Sequence, residues 1–194
     1  IPWMVVGGAD LFNLELAKRL PKNKYRLIVL TSIPSNNPLR QDFEEYAEVY
    51  DMSTFLDKID YLNFTDYMIS SRKVDLVFVT NSFLGYYMVP YLKSKYPNIP
   101  FIDYIHAVDK EDPRSGFGRT SKDVDFYLSG TYTCNNLTTN QLINEFNKNN
   151  VKTIYIGTDS DKFDPKKYNS TKLKEELDIP TNKKIISFIA RLSK

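Results

Sequence analysis

The sequence predicts an α/β fold built on a doubly wound parallel sheet, and two observations carry that prediction. Short apolar runs rich in β-branched and aromatic side chains recur at residues 26–31, 75–80, 101–105, 132–135, 153–156 and 185–190. Longer stretches with helical spacing separate them. Continuous apolar runs indicate strands covered on both faces, and strands alternating with helices indicate parallel pairing.

Taken in order, Gly7-Gly8-Ala9-Asp10 has the form of a turn from a strand into a helix, with residues 1–3 as the tail of that strand. The sheet is therefore expected to lack its first strand. Leu11, Leu14, Ala17 and Leu20, joined by Phe12 and Leu16, give a wide apolar face to a helix over 10–20, with Asp10 placed to cap it and Pro21 to stop it. Similar spacing predicts helices over 55–71, 85–95, 139–149 and 171–177. Residues 107–122 contain Pro113, Gly116 and Gly118 without a clear period, and are expected to form a long loop of the kind that carries function. The run Ile154-Tyr155-Ile156 exits into Gly157-Thr158-Asp159 and then Phe163-Asp164-Pro165, a chain reversal. It reads as a hinge between a domain at 1–156 and the truncated start of a second at 157–194, so the chain is expected to be a fragment.

A net charge of +2 with acids and bases interspersed excludes the basic stripe of a nucleic-acid binder. A single cysteine, Cys134, cannot form an internal disulfide, which points to a reducing, cytoplasmic setting. No apolar run is long enough to cross a bilayer. Lys18, Arg19, Lys22, Lys24 and Arg26 cluster at the end of the first helix, where cations complement the helix dipole; a weak contact with an anionic membrane surface is the sharper reading.

Several residues stand where chemistry is possible. Gly7 and Gly8 precede a helix N-terminus, which suits either the approach of an anion to backbone N–H groups or simply a tight turn. A dinucleotide fingerprint is missing. His106, the sole histidine, follows the strand at 101–105 on the side where open α/β sheets bind ligands; Asp109 is near enough to orient its ring, while Asp103 should point to the opposite face. One His and one Cys make no metal cluster, and a dyad would require Cys134 to lie beside His106. Asp123-Val124-Asp125 has a metal-holding pattern but falls in a helical stretch where the two acids share no face, and Asp159-Ser160-Asp161 suits turn chemistry. Arg191 ends the last apolar run, where a guanidinium can clamp a diphosphate or simply meet solvent.

Assembled in order, these motifs resemble the N-terminal half of a family 4 glycosyltransferase of GT-B architecture, ending in the first strand of the C-terminal half. The resemblance rests on Gly7-Gly8-Ala9-Asp10, Leu16-Ala17-Lys18-Arg19-Leu20, Tyr104-Ile105-His106, the linker from Ile156 to Pro165, and Ala190-Arg191-Leu192. It departs from the family where Ala190 stands for a usual Gly and where Ile156 and Thr158 stand for Asn and Val. It implies two Rossmann-like domains facing a cleft, and retaining, metal-independent transfer of a sugar from a nucleotide-sugar donor to a glycan, lipid-linked or protein acceptor. No cofactor is implied beyond the donor substrate. Gly7 and Gly8 would lie beside the donor diphosphate and acceptor, His106 would touch the transferring sugar, and Arg191 would neutralise the leaving diphosphate. Most donor contacts would belong to the C-terminal domain, so the fragment alone should be inactive. The alternative is a non-catalytic Rossmann-like module that binds a nucleotide or a partner protein.

Overall fold

The computed structural model describes residues 1–108, 116–168 and 170–188. The first unit, Ile1–Ile156, runs through helix α1 (Gly8–Arg19), strand β1 (Ile28–Thr31), the short α2 (Arg40–Glu44), β2 (Glu48–Asp51), α3 (Tyr61–Arg72), β3 (Val77–Thr80), α4 (Phe83–Lys95), β4 (Phe101–Ile105), α5 (Gly116–Asp123), β5 (Gly130–Thr133), α6 (Asn136–Asn144) and β6 (Val151–Thr153). All strand pairs are parallel, in the orders β1-β2 and β3-β4-β5-β6. Helices cover both sides of β4. On one side Phe12 of α1 stacks on Tyr104, and on the other Tyr86 of α4 and Ser121 of α5 reach Asp103. This is the α/β architecture expected, with Asp103 facing away from the Tyr104 side.

The structure corrects several local expectations. The single sheet is divided in two, and residues 1–7 carry no strand. This segment lies against β1 by irregular bonds: Ile1 N donates to Leu30 O at 3.1 Å, and Ser32 N and Ile33 N both donate to Pro2 O. Strand β2 was not expected, because Glu48 and Asp51 break its apolar run; Asp51 is nevertheless buried and accepts from Thr31 Oγ1 and Asn37 Nδ2. Strands β5 and β6 sit earlier than the runs 132–135 and 153–156 suggest. Asn135 leaves β5 to cap α6, its side chain accepting from Thr138 N at 2.8 Å, an arrangement worth about 1 kcal/mol. Helix α6 thus starts ahead of the expected 139 and ends at Asn144, and α3 starts only at Tyr61 after two 3₁₀ turns.

Asp10 is not the cap of α1. Gly7 is, and Asp10 sits in the first turn, where a carboxylate still complements the helix dipole. The loop expected at 107–122 contains α5. Gly118, which reads as a breaker, faces α6 there: a Cβ would come within 3.2 Å of Phe146 and 3.3 Å of Leu142, so its missing side chain permits the contact.

The second unit starts at Gly157. Asp159 behaves as a turn residue, its carboxylate accepting from the backbone N–H of Asp161 and Lys162. Asp164 caps the turn at Pro165 by accepting from Lys166 N, and α7 (Ser170–Glu176) follows. The strand expected at 185–190 is not formed over 185–188; Ile186 and Phe188 are exposed, and no partner strand is present among the described residues of this unit to complete a ladder.

A buried polar chain crosses the core of the first unit. Tyr86 Oη and Ser121 Oγ donate to Asp103 Oδ2 at 3.0 and 2.5 Å, Lys148 Nζ donates to Ser121 Oγ at 2.8 Å, and Lys148 pairs with Asp125 at 2.8 Å. Lys148 and Asp103 are both 0% exposed. Removing one partner of a buried pair leaves the other uncompensated, so Lys148→Ala is expected to lower stability by about 3 kcal/mol in urea unfolding. A loss within about 0.5 kcal/mol, the range of ordinary surface substitutions, would show that the chain contributes little.

Candidate functional site

Two of the candidates, His106 and Cys134, lie at the carboxyl ends of β4 and β5, where open α/β sheets expose their functional residues. His106 is the first residue beyond β4, and Cys134 the first beyond β5. Tyr104, two residues earlier than His106 on the strand, shares its face. Phe12 of α1 closes the group. It stacks on Tyr104 with centroids 4.5 Å apart and meets His106 edge-on at 5.1 Å, while Tyr104 and His106 lie 4.9 Å apart. The hydroxyl of Tyr104 donates to Ile154 O at 2.6 Å, which fixes the ring on which the imidazole leans.

This environment is apolar, and it decides the state of the histidine. Desolvation lowers the His106 pKa from 6.5 to about 4, so the ring is neutral at ordinary pH. Its Nε2 is buried and has no hydrogen-bond partner among the described residues. A buried polar atom left unpaired costs about 1–3 kcal/mol, so a hydrogen bond to this nitrogen would be favourable by about that much. A neutral imidazole can hydrogen-bond a hydroxyl or carbonyl without bringing a charge.

Cys134 does lie beside His106, but its thiol donates to the His106 backbone oxygen at 2.9 Å and not to the ring. Asn135 Nδ2 donates to the sulfur at 3.1 Å. No Cys–His dyad results. Gly7 and Gly8 open α1, and no side chain among the described residues caps it; a Cβ on Gly8 would meet nothing within 4 Å, so the helix end is approachable. Phe12 follows one turn later on the same helix, and through it the Gly7-Gly8 turn and His106 belong to one neighbourhood. Asp109 and Arg191 lie outside the described residues.

Other candidates are spoken for. Asp123 pairs with Arg119 at 2.8 Å, and Asp125 with Lys122 and Lys148. Among the described residues no group of three or more His, Cys, Asp or Glu side chains is placed to hold a metal ion. In the basic cluster Lys18 and Arg19 pair with Glu15, Arg26 pairs with Glu48, and Lys22 donates to Glu45 O, so much of its charge is answered locally. No helix among the described residues is long and apolar enough to cross a membrane. Sequence reasoning missed Phe12 and Tyr104 as the walls of the imidazole site; both read simply as apolar positions.

No protein-family description matches the chain, and no curated protein matches it. Among solved structures, the chain is similar to the crystal structure of a glycosyltransferase from Rickettsia africae ESF-5, with a TM-score of 0.66 and 19% sequence identity. The match covers 94% of this chain and 49% of that one, so the chain spans about half the length of that protein. The likeness shows the fold, an α/β arrangement with a parallel four-stranded sheet.

The apolar setting of His106 has a measurable consequence. Its NMR titration midpoint should fall near pH 4 and not near 6.5. Because the folded pKa is lowered, the unfolded chain takes up this proton first, and the histidine's contribution to stability is lost as pH falls from about 6.5 to about 4. Phe12→Ala, which admits water, should move the midpoint upward; a wild-type midpoint near 6.5 would contradict the burial.

Proposed function

We propose that the chain is the N-terminal, acceptor-side domain of a retaining, metal-independent glycosyltransferase of the GT-B, family 4 type. In this reading the intact protein moves a sugar from a nucleotide-sugar donor to a glycan, lipid-linked or protein acceptor. The observation that carries it is the neutral His106 at the carboxyl end of β4, with a buried Nε2 that has no partner among the described residues, held by Phe12 on the helix that Gly7 and Gly8 open. The similarity to a glycosyltransferase fold supports the same class.

The chemistry suits these groups. Cleavage of the bond between the sugar anomeric carbon and the diphosphate oxygen leaves that oxygen with a growing negative charge. Backbone N–H groups at the α1 N-terminus, and the guanidinium of Arg191, would stabilise it electrostatically, and such stabilisation is the largest single catalytic term in many enzymes. A neutral His106 would hydrogen-bond the transferring sugar, with Asp109 orienting the ring. The ion pairs that occupy Asp123 and Asp125 support a reading without a metal on that Asp-x-Asp.

The test is a screen of the intact protein against nucleotide sugars, measuring release of the nucleoside diphosphate. His106→Ala should reduce turnover on the order of a hundredfold with little change in melting temperature. A stability loss as large as the activity loss would make His106 structural. No release with any nucleotide sugar would favour a non-catalytic binding module.

A further inference from the structure

A cleft of about 210 Å³ opens where the chain leaves β1 and β3, beside the first turn of α1. Trp3, Ile33, Phe83 and Phe117 supply apolar walls, and Asp10 and Asn81 supply the polar groups. Phe83 and Phe117 are stacked, with centroids 4.5 Å apart and planes 24° apart, so together they form an ordered aromatic surface. Trp3 and Phe83 remain 36% and 44% exposed. Large aromatic rings left uncovered inside a concave site are a common mark of ligand binding.

The polar side is equally specific. Asp10 is only 6% exposed, and burial raises its pKa. Among the described residues no side chain donates to its carboxylate, which accepts from its own backbone N–H. Asn81 turns the chain out of β3 in a left-handed conformation, φ 51°, which Asn tolerates better than most residues. The site therefore offers a stacking surface on one side and a hydrogen-bond acceptor with spare capacity on another.

We propose that this cleft binds a single neutral pyranose ring, the terminal unit of the acceptor. The inference rests on the glycosyltransferase reading above and specifies its acceptor. A pyranose has a C–H face that stacks on aromatic rings and equatorial hydroxyls that donate to a carboxylate, matching both sides of the cleft. The volume is below the roughly 300 Å³ at which pockets for drug-sized ligands begin, and so suits one ring and not a nucleotide. A uracil ring has a single N–H with which to donate to Asp10, whereas a pyranose presents several hydroxyls.

Trp3 is the sole tryptophan, so its emission reports on the cleft directly. The protein is titrated with methyl glucoside, galactoside and mannoside, with uridine and tetramethylammonium as contrasting probes. At least one glycoside should give a saturable change in the millimolar range. Asp10→Asn and Phe83→Ala should each weaken it about tenfold with the far-UV circular dichroism unchanged. If Phe83→Ala does not fold, Phe83→Leu, which keeps bulk and removes the ring, serves in its place. The proposal is overturned if no glycoside saturates, if both variants bind as wild type does, or if only uridine or tetramethylammonium binds. Nucleoside diphosphate release by a protein that binds no glycoside would overturn this inference alone. Glycoside binding without any release would leave the cleft assigned and remove the transferase reading.

Discussion

The structure of the first unit depends on keeping Asp103 and Lys148 out of water. Neither can be buried alone without a penalty of several kcal/mol, so each needs partners in fixed places. Tyr86 brings α4 to β4, Ser121 brings α5, and Lys148 ties the segment after α6 to Ser121 and Asp125. Desolvation raises the Asp103 pKa and Lys148 opposes that shift. Such a chain need not add net stability over an apolar core; its effect is to fix α4, α5 and the segment after α6 in place around the strand.

That arrangement has a consequence on the other face. Strand alternation puts Tyr104 and His106 opposite Asp103, so fixing Asp103 among α4 and α5 fixes the direction of Tyr104 and His106 toward α1. Phe12 then packs against both rings and removes the imidazole from water. The neutral His106 and the approachable Gly7-Gly8 turn thus come from one packing solution, in which polar partners specify one face of β4 and aromatic rings the other.

Much of this was legible in the residues. The runs at 75–80 and 101–105 became β3 and β4, and Pro21 does follow the end of α1. The position of His106 followed from the strand before it. What was hidden depends on contacts distant in sequence. Strand β2 carries a buried Asp51 that only its partners Thr31 and Asn37 explain. Helix α5 contains a glycine that reads as a breaker until Leu142 and Phe146 are seen against it. Phe12 was one of several apolar residues on a helix face, and nothing local distinguished it as the neighbour of His106. The cleft around Trp3 joins residues from four separate parts of the chain, a grouping periodicity does not reveal.

The dependence of the fold on the buried chain is tested most directly by native-state hydrogen exchange. The amides of β4, flanked by strands on both sides and anchored through Asp103, should exchange slowest, at the free energy of global unfolding, while those of the two-stranded β1-β2 pair open earlier. Exchange of β4 as fast as that of β1 and β2 would contradict the claim that Asp103 and its partners hold the unit together.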